Sequence, residues 1–297
     1  MAPKIRTGKT GTRVWRVEKG RAEAASDHLA TEEPLEIRLL WEGGTRTVAV
    51  TMRTPGHDEE LAAGFLFAER VIESRERILG LKHRIDDKGE RDPNVVEVEL
   101  GEGPDPDLPT LERHFFSSSA CGVCGKAGLA ALQVRMPEAL PAGPEVAPEI
   151  LASLPERLRE AQGLFDATGG LHAAGLFDVS GRLLAAREDV GRHNALDKLI
   201  GWALLEGRLP LHGHLVMVSG RSSYEILQKC LMARVPVVCA VSAPSSLAVE
   251  LAESFGVTLV GFLRGDRFNV YSGIERVERI AGAPRRATRR RLLPTVV

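Results

Sequence analysis

The sequence is poor in aromatic residues, in cysteine, in net charge and in long apolar runs, and each shortage excludes a class of protein. Lysine plus arginine (39) and aspartate plus glutamate (40) nearly cancel, so no field over the whole molecule attracts nucleic acid or anionic lipid. The longest stretch without a charged residue, 235–249, contains proline and serine, whereas a membrane-spanning helix needs about 20 apolar residues. We therefore expect a protein that neither binds nucleic acid nor associates with a membrane.

Cysteine is scarce as well, since four in 297 residues are too few for a disulfide scaffold. The basic first residues are not followed by the apolar stretch of a secretory signal. Both observations favour a cytoplasmic protein, in which a close cysteine pair serves catalysis, redox chemistry or metal binding. That pair is Cys121 and Cys124, whereas Cys230 and Cys239 lie in apolar segments and are predicted to be packing residues.

A hydrophobic content of 43% is sufficient for a packed core, and its pattern changes along the chain. Residues 13–112 favour strands. They include one helix that follows Thr54-Pro55-Gly56, carries three acids in its first turn and buries Leu61, Phe65, Ala68 and Ile72. Residues 113–280 alternate helices with near-continuous apolar strands, which is typical of a parallel sheet covered on both faces. The sequence predicts an α/β protein with a smaller α+β N-terminal part, flanked by a basic tail at 1–12 and an arginine-rich tail at 281–297.

The cysteine pair lies on a predicted loop of serine and glycine, Ser117 to Gly125, ahead of a predicted helix. The partial positive charge of a helix N-terminus favours thiolate over thiol, and Lys126 adds to it. We therefore expect reactive rather than buried cysteines. The spacing alone leaves three uses open: half of a zinc site, a redox dithiol, or a sulfur carrier that holds a persulfide.

A zinc site would need more ligands, and His57-Asp58-Glu59 provides one arrangement. Together with the later C-x-x-C it resembles the zinc deaminase signature, in which histidine and two cysteines bind the metal and glutamate moves the proton. The alternative function is thus a zinc-dependent, deaminase-like hydrolase using His57, Glu59, Cys121 and Cys124. Ala120 stands where that signature has proline, and charges at a helix start are favoured by the helix dipole, so we prefer the structural interpretation.

Polar loops follow three successive predicted strands in the second half. The carboxyl ends of parallel strands meet at one edge of a sheet, where ligands usually bind. These loops offer backbone N–H groups, hydroxyls and guanidinium groups to an anion, which favours a nucleotide, phosphate or pterin ligand. The candidate binding residues are Ser219, Gly220, Arg221 and Ser222, then Ser242, and then Arg264, Gly265, Asp266 and Arg267.

Two histidines and an acid precede these loops, at the ends of other predicted elements. His172, Asp189 and His193 suit proton transfer or the binding of a guanine edge and a diphosphate, because histidine changes charge near neutral pH. A structural role remains the alternative for each histidine taken singly. Asn194 is predicted to be the N-cap of the following helix.

Taken together, these motifs resemble the formate dehydrogenase accessory sulfurtransferase family FdhD. The resemblance covers most of residues 50–275, and its segments include TPGHDEELAAGFLFAERVI, SSSACGVCGKAGL, REDVGRHNALDKLIGWAL and VSGRSSYEILQKC. Their joint occurrence in this order is far more specific than the C-x-x-C alone.

The resemblance implies a fold, a function and partners. It implies a cytidine-deaminase-like three-layer C-terminal part and a homodimer that accepts sulfur from a cysteine desulfurase. Sulfur then passes to the bis-guanine-dinucleotide molybdenum cofactor of the formate dehydrogenase catalytic subunit, with no permanent metal on the carrier. By this likeness Cys121 holds the persulfide, Cys124 supports or resolves it, and the cofactor site includes Phe262, Leu263, Arg264, Gly265, Asp266 and Arg267.

Overall fold

The computed structural model describes residues 7–106 and 139–278, so the segment with Cys121 and Cys124 lies outside the described residues. A hairpin comes first: β1 (Lys9–Glu18) and β2 (Arg21–Ala30) pair antiparallel along their whole length. Lys19 and Gly20, both with positive φ, form the two-residue turn between them. The sequence predicts part of β1 but not β2, because the polar, alanine-rich residues 21–30 lack a strand pattern.

Four strands form the N-terminal sheet. They are β3 (Glu33–Trp41), β4 (Gly44–Arg53), β5 (Ile78–Ile85) and β6 (Arg91–Leu100), in the order β4-β3-β6-β5. Alternate residues of β3, namely Leu35, Ile37 and Leu39, are 0% exposed, as a strand with one buried face requires. One face of this sheet therefore packs against the hydrophobic core.

The predicted N-terminal helix is present as α1 (Asp58–Ala68), with its three acids in the first turn. It is shorter than expected. The chain leaves the helix at Glu69, and Arg70 has a left-handed φ of 59°. Ile72 is buried, as predicted, but by the turn that follows the helix and not by the helix face.

Six strands form the C-terminal sheet. They are β7 (His172–Asp178), β8 (Leu183–Asp189), β9 (His214–Val218), β10 (Val237–Ala240), β11 (Thr258–Arg264) and β12 (Arg267–Ser272), in the order β12-β11-β10-β9-β7-β8. Within this described sheet, only β9, β10 and β11 are parallel to one another. The prediction of a parallel sheet is wrong at both edges, because short turns join β7 to β8 and β11 to β12, and such turns connect only antiparallel strands.

Helices cover both faces of this sheet. They are α2 (Pro148–Glu160), α3 (Gly163–Thr168), α4 (Arg192–Leu205), α5 (Tyr224–Met232) and α6 (Ser246–Phe255). Along β9, Leu215 and Met217 belong to the core beneath α2, whereas Val216 and Val218 belong to the core shared with α4 and α5. The α/β class with a smaller α+β part is therefore confirmed. No helix of the described ranges is long and apolar enough to cross a membrane.

The two sheets share one hydrophobic core. Residues of the N-terminal sheet, of α1 and of α4 belong to the same buried cluster. Where α1 crosses α4, a Cβ on Gly64 would overlap the carbonyl oxygen of Asp197, and a Cβ on Gly201 would overlap that of Glu60. The helical layer thus lies between the sheets. The predicted domain boundary at residues 112 and 113 falls outside the described residues and stays a prediction.

Candidate functional site

The predicted binding residues converge at one edge of the six-stranded sheet. The parallel strands β9, β10 and β11 all end there, so the loops that begin at Ser219 and Ser242 and the turn at Gly265 are neighbours. Because β7 runs antiparallel to β9, its first residue lies at the same edge, and the register pairs His172 with Asp189. We call this edge the rim, defined by the loops 189–193, 219–223, 242–245 and 262–267 together with His172.

The loop after β9 is held tightly against the start of β7. Ser219 Oγ accepts a hydrogen bond of 2.9 Å from the Ala173 N–H, and the Ser219 N–H donates to the Ala173 carbonyl at 2.9 Å. A Cβ on Gly220 would lie 3.3 Å from His172 Nδ1 and 3.7 Å from Arg192 Cδ. The glycine therefore allows the loop to approach both side chains closely.

Two helix N-termini open onto the rim side by side. Ser223 and Ser245 are the N-caps of α5 and α6, and their hydroxyls accept hydrogen bonds from Ile226 N–H and Ala248 N–H. The Ser245 N–H donates to the Ser222 carbonyl at 3.0 Å, which ties the two loops together. The positive ends of two helix dipoles thus point at one place, an arrangement that favours an anion.

Arginine and serine of the first loop face in opposite directions. Arg221 is exposed, as an anion ligand requires, whereas Ser222 is 0% exposed and its hydroxyl has no partner within the described chain. The buried hydroxyl of Ser222 is therefore not accessible to a surface ligand, and the predicted contact is not made. Its backbone carbonyl, bonded to Ser245, is the part that shapes the rim.

The turn after β11 brings two arginines to the rim. Arg264 and Arg267 are opposite each other across the Gly265-Asp266 turn, and all four residues are exposed. Phe262, with a left-handed φ of 54°, donates its N–H to the Ser242 carbonyl at 3.2 Å and leaves its ring 42% exposed. Leu263 differs from the others, because its side chain is 0% exposed in the core beneath α2 and does not face a ligand.

Asp189 is wholly buried and fully bonded by the protein itself. One carboxylate oxygen accepts from the Thr54 N–H at 3.0 Å and lies 2.7 Å from Lys198 Nζ. The other accepts from the Gly191 N–H at 2.8 Å and from the Asn194 amide at 3.1 Å. Asp189 therefore fixes the loop that carries His193, and no carboxylate oxygen remains for the ligand contact that the sequence predicts.

The prediction that Asn194 is an N-cap is wrong. The helix α4 begins at Arg192, with Gly191 as N-cap, so Asn194 lies in its first turn. Its amide donates to the Met52 carbonyl at 2.7 Å and bridges strand β4 to Asp189. The side chain is used for a contact with a distant strand, which local sequence does not reveal.

The two rim histidines have different surroundings. Burial lowers the pKa of His172, and the positive charges of Arg192 and His193 lower it further, so its imidazole is neutral at neutral pH. His193 Nε2 lies 2.9 Å from Glu225 Oε2 and 3.2 Å from Ser223 Oγ. The hydrogen bond with His193 holds the pKa of Glu225 below its usual value. Glu225 is not among the residues predicted from the sequence, although its place in the first turn of α5 is visible there.

A cleft of 830 Å³ opens beside the rim, between α2, α3 and the sheet. Its lining includes His172, Ser219 and Gly265 of the rim, and also Phe165. Glu188 fixes the start of α3 at this cleft, because its two carboxylate oxygens accept hydrogen bonds from the Leu164 N–H at 3.0 Å and the Phe165 N–H at 2.7 Å. The sequence does not single out Phe165, since the short helix α3 has no clear pattern. Glu188 belongs to the motif that contains Asp189 and His193, but its contact with α3 is not visible in the sequence.

The residues of the zinc alternative fall partly outside the described chain. His57 is 55% exposed and its Nδ1 lies 3.2 Å from Glu60 Oε2, while Glu59 is exposed. Within residues 7–106 and 139–278, no group of three or more His, Cys, Asp or Glu is placed to hold a metal ion. The other two proposed ligands, Cys121 and Cys124, lie outside these ranges.

The remaining cysteines are packing residues, as predicted. Cys230 and Cys239 are each 0% exposed, and burial raises the pKa of both thiols to about 12. Neither forms a thiolate at neutral pH. Reactive chemistry at the C-x-x-C pair stays a prediction, because that pair lies outside the described residues.

Fold and site together define an α/β protein with a polar rim of loops and helix N-termini at the carboxyl ends of parallel strands, in a chain whose sequence also carries a C-x-x-C pair. Residues 30–278 match the model of the FdhD/NarQ family. The chain belongs to the FdhD/NarQ family.

Close relatives extend over nearly the whole chain. A sulfur carrier protein FdhD from Streptomyces coelicolor is 50% identical over 272 residues, covering 89% of this chain and 94% of that protein. The protein of the same name from Mycobacterium tuberculosis is 49% identical over 256 residues, covering 84% and 91%. A crystal structure from Desulfotalea psychrophila, described as a putative formate dehydrogenase accessory protein, superposes with a TM-score of 0.69 at 27% identity and covers 91% of this chain and 99% of its own.

Proposed function

We propose that this protein is a sulfur carrier that supplies sulfur to formate dehydrogenase as a persulfide on Cys121. The observation that carries the proposal is the rim, where three strand-end loops and two helix N-termini meet in a chain with a C-x-x-C pair. Relatives named sulfur carrier protein FdhD, nearly half of whose residues are identical to this chain, support the sulfur-transfer role.

Sulfur acceptance is an exchange between two sulfur atoms. The Cys121 thiolate attacks the outer sulfur of a cysteine persulfide on a cysteine desulfurase. The S–S bond of the donor breaks, a new S–S bond forms on Cys121, and the donor cysteine leaves as a thiolate. The step needs no external oxidant or reductant.

Delivery uses the second cysteine as the resolving thiol. The Cys124 thiolate attacks the Cys121 sulfur and releases the outer sulfur as hydrosulfide toward the molybdenum of the client. The two electrons come from the thiols, which leaves a Cys121–Cys124 disulfide that a dithiol reductant of the cell reopens.

The cargo that we propose for the rim is the bis-guanine-dinucleotide molybdenum cofactor, bound as a substrate. The exposed arginines Arg221, Arg264 and Arg267 and the N-termini of α5 and α6 suit its diphosphates. The neutral imidazole of His172 adds no charge but offers a hydrogen-bond donor and an acceptor at the cleft.

The location, the partners and the finer fold class belong to the same proposal. The protein works in the cytoplasm, receives sulfur from a cysteine desulfurase, and acts as a homodimer on the formate dehydrogenase catalytic subunit. The C-terminal part is cytidine-deaminase-like in architecture, which its central sheet with helices on both faces supports. Similar architecture does not bring zinc chemistry with it.

The persulfide step is tested by intact mass. After incubation with a cysteine desulfurase and cysteine, we expect the wild-type mass to increase by one sulfur atom, and dithiothreitol to remove the increase. Cys121→Ala is expected to gain nothing, while Cys230→Ala, which removes a buried thiol, behaves as wild type. A Cys121→Ala protein that still takes up sulfur would overturn the assignment.

The rim is tested with GDP as the probe. We expect Arg264→Ala and Arg267→Ala each to weaken GDP binding about tenfold in calorimetry, because each loses a charge-assisted hydrogen bond. The matched control is Arg182→Ala, in the β7–β8 turn at the opposite end of the strands, which leaves the affinity unchanged. Equal affinities in all four proteins would place the nucleotide elsewhere.

A further inference from the structure

The cleft between α2, α3 and the sheet contains a buried amide that the described chain does not use. Gln162 is 4% exposed and lines this cleft. It is the N-cap residue of α3, but its side chain makes no capping hydrogen bond, and its carboxamide has no hydrogen-bond partner among the described residues. Buried amides are normally bonded, because an unbonded one loses its hydrogen bonds with water and gains none in return. The carboxamide of Gln162 is therefore placed to bond a ligand in the cleft.

A second uncharged polar group lines the same cleft. The imidazole of His172 forms no hydrogen bond in the part of the chain that the structure describes. Burial and the neighbouring positive charges lower its pKa, so the ring is neutral, with one nitrogen as donor and the other as acceptor. Gln162 and His172 thus each offer a donor and an acceptor, and neither brings a charge.

The charges of the cleft lie at its exposed side. Among its described lining residues the charged ones are Glu156 and Arg159, both exposed on α2. Arg159 is paired with Asp166, and its guanidinium lies 4.6 Å from the centre of the Phe165 ring. Deeper in the cleft Leu158 is 1% exposed. A phosphate in this neutral interior would be buried without a counter-charge, which is costly, whereas an uncharged planar ring fits it.

We propose that the cleft holds the heterocyclic ring of the cargo and that Gln162 bonds its 2-amino-4-oxo edge. This edge, which guanine and pterin share, places an N–H donor next to a carbonyl acceptor. A side-chain carboxamide matches such an adjacent pair with two parallel hydrogen bonds. The ring of Phe165 supplies an aromatic wall for the planar ligand.

The cleft and the rim divide the ligand between them. Ser219 and Gly265 belong to both, so the two are continuous. The exposed arginines of the rim suit phosphates, and the neutral cleft suits the ring that the phosphates carry. The inference rests on the cargo proposed above and adds the residue that recognises its ring.

The test is calorimetry on the full chain with three probes. GDP carries a ring and phosphates, neopterin carries a pterin ring without phosphate, and inorganic pyrophosphate carries phosphates alone. In Gln162→Met, which keeps the length of the side chain and removes both hydrogen-bonding groups, we expect the affinity for GDP or for neopterin to fall about tenfold relative to pyrophosphate. Loss of GDP affinity assigns the cleft to guanine, and loss of neopterin affinity assigns it to pterin.

Two further variants separate recognition from a general effect on the fold. Gln228→Met is the matched control, because it makes the same exchange at a half-buried glutamine on α5, which covers the opposite face of the sheet, and it is expected to bind all probes as wild type. Phe165→Leu removes the aromatic wall and is expected to weaken the same ring-bearing probe by about fivefold or more. Circular dichroism verifies the fold of each variant.

The outcomes distinguish this site from the sulfur-carrier function. A Gln162→Met protein that binds GDP and neopterin as tightly as Gln228→Met would overturn the ring site. So would a wild type that binds neither ring-bearing probe more tightly than pyrophosphate, because water alone would then meet the amide. Sulfur uptake by Cys121 of the wild type, measured by mass, tests the carrier function separately, since that step needs no ring in the cleft.

Discussion

His172 is the rim residue whose charge depends most directly on its surroundings. It begins β7, beside Gly220 and Arg192, and burial followed by the charges of Arg192 and His193 lowers its pKa. In the unfolded chain its pKa returns to about 6.5. Between the folded and the unfolded pKa, the unfolded state binds more protons than the folded state, so the free energy of unfolding increases with pH.

This sign gives a pH prediction. The contribution of His172 is complete above the unfolded pKa, near about pH 6.5, and is lost as the pH falls through the folded pKa. Burial also lowers the pKa of His83 and His214, so all three act in the same direction. We expect urea denaturation to show declining stability from about pH 7 to about pH 5, and His172→Asn to reduce that slope by at most about 1.4 kcal/mol per pH unit. Identical slopes for variant and wild type would contradict the burial of this imidazole.

The sequence correctly places Asp189 in a rim loop but predicts a ligand as its partner, whereas the structure gives it partners within the protein. Its position between a strand and a helix is visible in the sequence, and it does belong to the rim loop. Its hydrogen bond from Thr54 joins residues 135 positions apart, and that contact turns the carboxylate inward. Among the predicted binding residues that the structure describes, Arg221, Arg264 and Arg267 are exposed and Asp189 is not.

At the scale of elements, the crossing of α1 and α4 joins the two sheets. Both helices approach so closely that Gly64 and Gly201 face backbone atoms of the other helix. In an isolated helix, alanine would be more favourable than glycine by up to about 1 kcal/mol. The crossing reverses that preference, because a methyl group has no space there.

We therefore predict that Gly64→Ala and Gly201→Ala each lower the free energy of unfolding by about 3 kcal/mol, the cost of forcing two packed helices apart. Chemical denaturation with circular dichroism measures this loss. Gly213→Ala is the control, since a Cβ there has no atom within 4 Å and its stability should stay within about 0.5 kcal/mol of wild type. A Gly64→Ala protein as stable as wild type would mean that the helices are farther apart than described.

At the scale of the whole molecule, one buried cluster contains residues from both parts of the chain. Leu35, Ile37 and Leu39 of the N-terminal sheet belong to it, and so do Leu196 and Ile200 of α4. A shared core couples the two parts thermodynamically, because exposing one face exposes the other. The rim depends on the same coupling, since hydrogen bonds to β4 and to the residue that follows it hold the loop 189–194.

We expect the protein to unfold in one cooperative transition. Two tryptophans report separately, Trp41 in the N-terminal sheet and Trp202 in α4, and both pack against the shared core. In single-tryptophan variants that keep one or the other, with Trp15→Phe in both, the fluorescence midpoint in urea should coincide with the circular dichroism midpoint of the same protein. Separate midpoints would show two independently folding domains.

Features that depend on neighbouring residues can be predicted from the sequence without coordinates. The alternation of apolar residues predicts the strands β3 and β9–β11 and the helices α1, α2 and α4–α6, and turn composition locates the strand-end loops of the rim. The motifs also identify the family and the cysteine pair. These features are local, because periodicity and turn chemistry act over a few residues.

How these elements meet is visible only in the folded chain. The antiparallel pairing of β7 with β8 places His172 beside Asp189, and the side chains of Asp189 and Leu263 are buried. Glu188 accepts a hydrogen bond from α3, and Glu225 lies against His193. Two glycines allow the helices between the sheets to cross closely. The physical reason is that each of these depends on contacts between residues tens to more than a hundred positions apart, such as Glu188 with Phe165 and Asn194 with Met52. Packing and buried hydrogen bonding select such contacts, and no local pattern encodes them.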